Sequence, residues 1–114
     1  MLASNVIDIV RRVVNDEDSE NERWSDSALL KYIGDAERRI YELRPDLFLG
    51  SGDTMGSPGD PSATGSTLNL DESSREPIVA FVVAKALAED GDDRMNAELS
   101  KAYMAEFYRV VTGK

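Results

Sequence analysis

The sequence contains no cysteine and no histidine. The first absence excludes disulfide staples and thiolate nucleophiles, the second imidazole bases, and the two together ordinary zinc sites. Most hydrolase and oxidoreductase chemistry is excluded with them. Cations are scarce as well: 13 lysines and arginines face 22 aspartates and glutamates, a formal net charge of -9. Sequence-independent binding to a nucleic-acid backbone needs a basic footprint, and this chain has an acidic one. Such an excess suits a protein partner, a wall past which DNA slides without sticking, a DNA mimic, or a merely soluble surface. No apolar run approaches the roughly 20 residues that span a bilayer. Met1-Leu2-Ala3-Ser4-Asn5 also lacks the basic start of a signal peptide. The expected setting is a reducing cytoplasm, or something assembled there.

What is present is a globular chain of 114 residues, 41% hydrophobic and 31% charged. That is enough for one modest core and too little for two, so residues 1–114 form a single domain. The spacing of apolar residues predicts an all-α, four-helix bundle-like fold with a long glycine- and serine-rich loop, 47–72, between the second and third helices.

The best-marked helix begins at Trp24-Ser25-Asp26. Ser25 is placed to cap a first-turn amide, Asp26 meets the positive helix end, and Trp24 and Leu29 occupy the two positions of a hydrophobic staple. Leu29, Ile33, Ala36, Ile40 and Leu43 then lie along one side. Pro45 disfavours helical geometry at Arg44 and ends the run. On the outer face, Lys31 with Asp35 and Arg38 with Glu42 stand four residues apart, pairs worth about 0.2 to 0.5 kcal/mol each. Gly34 inside this helix costs about 1 kcal/mol relative to alanine unless a neighbour packs closely there.

The first helix is expected from Ser4 to Val14, with Val6, Ile7, Val10, Val13 and Val14 on the buried face and Asp8, Arg11 and Arg12 on the other. The acidic connector from Asn15 to Arg23 superficially suggests a calcium loop. Asn21 stands where the sharp turn wants glycine, however, and Ser27 where a bidentate glutamate would close the site, so a solvated turn is the better reading. In the long loop, Leu47-Phe48-Leu49 and Thr67-Leu68-Asn69-Leu70 can pair as a small hairpin. Its glycines do not form a phosphate cradle, because no lysine follows them into a helix. The third helix is expected to start near Ser73 or Ser74, tolerate Pro77 in its first turn and run to Asp90 with almost no polar face. It is therefore either the most buried helix or an oligomer contact. Gly91 ends it, and Asp92 or Asp93 caps a fourth helix whose buried stripe is Leu99, Tyr103, Phe107 and Val110, with Arg94, Glu98, Lys101 and Arg109 outward. The short turn makes these two an antiparallel hairpin.

Carboxylates are abundant, but none sits in an apolar run that would tune it for acid catalysis, and neither Ser25 nor Ser74 has a histidine to activate it. The reading is a protein without catalytic residues, cofactor or metal. Tyr103, Phe107 and Tyr108 fit a core or an interface better than a platform for stacking bases on so acidic a chain.

Arg23-Trp24-Ser25-Asp26, Leu29-Leu30, Tyr32-Ile33-Gly34-Asp35-Ala36 and Leu43-Arg44-Pro45-Asp46 resemble the signature segment of the head-tail connector adaptor proteins of tailed bacteriophages. The apolar helix from Ile78 to Leu87, the acidic turn and Ala102-Tyr103-Met104-Ala105-Glu106-Phe107 are similar to the closing helical hairpin of that family. The resemblance implies a structural virion protein, assembled in the bacterial host cytoplasm. Copies of it would ring the underside of the portal, extend the DNA channel and offer a platform for tail attachment. Its partners would be the portal protein, a tail or stopper protein and further copies of itself, with DNA passing through unbound and no membrane involved. The motif residues expected to be structural are Trp24, Ser25, Asp26, Leu29, Leu30, Ile33, Arg44, Pro45, Tyr103 and Phe107; Phe81 and Val83 are candidate interface positions. Gly34 departs from the asparagine usual in the family. The segment from Pro45 to Ser73 is shorter than the β-containing one of many relatives, and the long C-terminal arm of some adaptors is absent or reduced. The alternative, from another class, is a small acidic adaptor or DNA-mimic inhibitor that occupies a basic pocket on its partner.

Overall fold

The computed structural model describes residues 2–14, 24–48, 68, 70, 72–89 and 94–113. There are four described α-helices, α1 (Ala3–Val13), α2 (Asp26–Leu43), α3 (Arg75–Glu89) and α4 (Arg94–Thr112); one short 3-10 turn, Pro45–Phe48, follows α2 and another, Glu72–Ser74, precedes α3. No strand occurs among the described residues. The fold is the all-α bundle that the periodicity predicts. The acidic connector, most of the glycine-rich loop and the expected cap at Asp92 or Asp93 lie outside the described residues.

α3 is the hub: it packs against α1, α2 and α4, whereas α1 and α4 make no contact with each other. The reason is in its sequence. Ile78, Ala80, Phe81, Val82, Val83, Ala84, Ala86 and Leu87 are all buried, so apolar surface points in every direction and must be covered from several sides. Pro77 sits in the first turn, where the amide it lacks would have had no intrahelical partner. α4 lies antiparallel on α3: Ser100 donates from its hydroxyl to the Ala84 carbonyl at 2.7 Å, and Phe107 meets Phe81 edge-on with ring centroids 5.0 Å apart.

α2 begins as its sequence dictates. Ser25 has extended backbone, and its Oγ accepts the Ala28 amide at 3.1 Å. Trp24 and Leu29 are both buried in the main core cluster, one on each side of that cap. Leu29, Leu30, Ile33, Ala36 and Ile40 continue the buried face, and Gly34 is buried with them.

Several expectations are corrected. In α1, Arg11 is buried and Val13 is 45% exposed, the reverse of the expected faces. The two positions lie on opposite flanks of the stripe Ala3, Val6, Ile7 and Val10. The flank carrying Arg11 is the one turned to α2, where Asp26 receives its guanidinium at 2.7 Å. In α4, Leu99 is 43% exposed and Val110 half-buried, while Phe107 and Val111 are buried with Tyr103 and Met104 packed beside them. The hydrogen bond of Ser100 to α3 seats that residue at the inner position, turning Leu99 outward. Leu47 and Phe48 belong to a 3-10 turn and not to an extended strand; Pro45, with its ring-fixed φ, is preset to open such a turn. The other half of the suggested hairpin lies mostly outside the described residues.

Truncating the staple, Trp24→Ala, is expected to destabilise the fold by about 3–5 kcal/mol, and removing the cap, Ser25→Ala, by about 1 kcal/mol. Chemical denaturation followed by helical circular dichroism measures both. Equal, small shifts for the two variants would show that Trp24 is not anchored in the core.

Candidate functional site

The residues of the signature segment are distributed over both ends and the inner face of α2. At the N-terminal end, Asp26 in the first turn accepts Arg11 from the last turn of α1. Each charge also suits its helix terminus, a carboxylate at a positive end and a guanidinium at a negative one. The pair therefore fastens the exit of α1 to the entry of α2 across the acidic connector. Arg11 is nearly buried and Asp26 about half exposed, so the contact is charge-assisted on one side and wet on the other.

At the C-terminal end, Arg44 makes the corresponding joint. Its backbone amide closes α2 on the Ile40 carbonyl at 2.6 Å, and its φ of -142° takes the chain out of helix ahead of Pro45. The guanidinium grips the Asp46 carboxylate with two bonds, Nε to Oδ1 at 3.0 Å and Nη2 to Oδ2 at 2.9 Å. Its remaining nitrogen, Nη1, donates to the Val111 carbonyl at 3.2 Å. That carbonyl belongs to the last turn of α4, whose oxygens have no intrahelical donors. Arg44-Pro45-Asp46 is thus a clip that stops α2, starts the 3-10 turn and ties down the far end of the chain. The hydrogen bonds from Arg44 hold the Asp46 carboxyl below the usual carboxylate range, and Asp46 in turn raises the guanidinium.

The structure brings Trp24, Leu29, Leu30, Ile33 and Phe107 together in one core, with Tyr103 packed against it. Pro45 and Asp26 remain exposed. It does not leave Phe81 and Val83 available: they are 4% and 0% exposed, covered by the chain's own helices. As candidate interface positions they are therefore corrected to core positions, because a helix with no polar face is satisfied here by intramolecular packing.

On the outer face of α2 the ion pairs differ in partner from the expected ones. Arg38 reaches Asp35 and Arg39 reaches Glu42, each at 2.9 Å and three residues apart. These side chains line a shallow polar groove with Phe81 and Lys85, whose ammonium lies 5.7 Å from the Phe81 ring centroid. One carboxylate, Glu37, is buried although no apolar run surrounds it in the sequence. It is 1% exposed within the buried face of α2, and no buried polar side-chain atom among the described residues lacks a partner. Sequence inspection missed it because helical position, not its neighbours in the chain, decides burial. Arg11 was missed for the same reason, although an arginine in a last helical turn before an acidic first turn is a usable signal.

Chemically, the assembled groups hold and align helices. Ser25 spends its oxygen on a cap, and Ser100 donates to backbone. Among the described residues no group of three or more aspartates and glutamates is placed to bind a metal ion, and no helix is long and apolar enough to cross a membrane. No protein-family model, curated protein or solved structure matches the chain.

Arg44→Lys keeps the charge but loses the fork. It is expected to speed amide hydrogen exchange in the last turn of α4, where the wild type is tied by the Val111 carbonyl; unchanged exchange there would show that the clip does not hold. Asp46 has a lowered pKa in the fold, so its stabilising contribution is complete above the ordinary carboxylate pKa and disappears as pH falls through the lowered folded value. Asp46→Asn is accordingly expected to flatten the acid limb of stability against pH while leaving its shape at neutral pH unaltered. An acid limb identical to wild type would exclude that linkage.

Proposed function

We propose that the chain is a head-tail connector adaptor of a tailed bacteriophage: a non-catalytic subunit that rings the portal, prolongs the DNA channel and receives the tail or stopper protein. The observation that carries this reading is that the residues of the resembling segment act as one structural unit. Trp24 and Ser25 start α2, Leu29, Leu30 and Ile33 bury it, and Arg44-Pro45-Asp46 stop it and join it to the helix that carries Tyr103 and Phe107. A chance scatter of matching residues has no reason to fall on consecutive joints of one fold. The net charge of -9 adds a second support, since a channel wall of like charge lets DNA slide. With Phe81 and Val83 committed to the core, contacts with the portal and with neighbouring copies fall to the outer faces of the helices and to the segments between them.

The test is the native mass of the purified protein, alone and mixed with purified portal rings. Co-migration as a ring-on-ring particle, even from a monomeric start, is the expected outcome. A protein that ignores every portal while capturing a basic protein at low salt would overturn the reading and favour the acidic inhibitor.

A further inference from the structure

α4 is covered on one side only. Its inner row, Ser100, Met104, Phe107 and Val111, faces α3, and the opposite row, Glu98, Ala102, Ala105 and Arg109, recurs at the same spacing of four, three and four residues. Of that outer row all four residues are exposed, and Leu99 and Tyr108 flank it at 43% and 37% exposure. Such spacing lays a continuous seam along a helix.

The seam is complementary to its own reverse. Counting outward from the level of residues 103 and 104, alanine is matched by alanine (102 and 105) and glutamate by arginine (98 and 109). Two α4 helices placed antiparallel about a two-fold axis at that level would set Glu98 of each copy against Arg109 of the other. At the centre Ala102 would face Ala105 of the second copy, and side chains this small let the backbones approach closely. Helical geometry puts Lys101 on the same flank as Tyr108 of the second copy, a cation beside an aromatic face. On the other flank Leu99 lies beside the methylene stem of Glu106 of the second copy. A parallel arrangement would instead align like with like.

We infer that the outer face of α4 is a docking surface for a second copy of this chain, forming an isologous antiparallel pair through Glu98, Ala102, Ala105 and Arg109. Charge complementarity selects the occupant: on a chain of net charge -9, this seam balances one anion against one cation, and its own reverse sets each opposite the other. Arg109 is available for it, since its side chain is 61% exposed even while it pairs with Glu106 within the helix. A single helix-to-helix contact is smaller than the roughly 1,200–2,000 Å² typical of stable complexes, so the pair is a weak, concentration-dependent dimer. An isologous contact closes with two copies, whereas a ring needs a heterologous one. The inference therefore stands apart from the portal reading, and either can fail alone.

Sedimentation equilibrium of the isolated protein at physiological salt tests it. The expected result is an average mass that climbs from 12.6 kDa toward twice that value as concentration rises. Glu98→Arg and Arg109→Glu, each of which sets like charges together, are expected to weaken the dimer about tenfold or more. The double variant Glu98→Arg/Arg109→Glu restores opposite pairing and is expected to regain the wild-type curve. Helical circular dichroism checks that each variant folds. A mass that stays monomeric at all concentrations, an association indifferent to the single reversals, or a folded double variant that fails to recover would each overturn the proposal.

Discussion

The burial of α3 against three other helices is the constraint from which the rest of the architecture follows. A helix with one apolar stripe needs one neighbour, but this helix buries Val82, Val83 and Ala86 as completely as Ile78, leaving only its ends and the margin at Val79 and Lys85 to water. It must be enclosed, and among the described residues α1, α2 and α4, with Leu68 and Leu70 of the segment before it, enclose it. Each of the three then needs only a single apolar stripe, because each meets the hub from one direction. The charges that α3 does carry keep to its ends or its margin: Arg75, Glu76 and Glu89 stand near its ends and are exposed, and Lys85 is half-buried.

Enclosure by packing leaves the ends of the helices to be located, and there the chain uses arginine. Arg11 joins α1 to the first turn of α2, and Arg44 joins the last turn of α2 to the last turn of α4. Exposed ion pairs contribute little to stability because water and salt screen them. Their value at these positions is geometric. A guanidinium can hold a carboxylate with two parallel bonds and still donate a third elsewhere, so Arg44 fixes the direction of two chain segments at once. The core makes the bundle stable, and the two clips decide how its helices are aligned.

The fold was legible where local chemistry and global packing agree. Trp24, Ser25 and Leu29 mark a helix start in sequence and form one in the structure, and Pro45 ends the helix where its ring requires. The α3 pattern could be read as buried but not as buried by what; an apolar helix looks the same whether its own chain or a neighbour covers it, and Phe81 and Val83 went to the core. Legibility failed at the flanks of stripes. Arg11, Glu37 and Ser100 are polar and turned inward, while Val13 and Leu99 are apolar and turned outward. At a flank the helical angle leaves both outcomes open, and a partner from another helix decides: Asp26 for Arg11, the Ala84 carbonyl for Ser100. Such partners lie 15 and 16 positions away, beyond any periodicity within one helix.

With the interior closed in this way, what the described helices offer to solvent is their outer faces. The grooves on them are shallow, and the serines whose bonds are described hold helices in place and not a reacting atom. The helices differ in how much surface they retain. α2 meets α1, α3 and, at a few positions, α4, but α4 has α3 as its one extensive neighbour. The helix least covered by its own chain is also the one whose exposed residues alternate small, charged and aromatic. Leu99, Tyr108 and the alanines at 97, 102 and 105 stand exposed among the charges of α4, whereas the apolar side chains of the hub are spent inside, so the apolar surface that α4 shows is a product of its having one extensive neighbour.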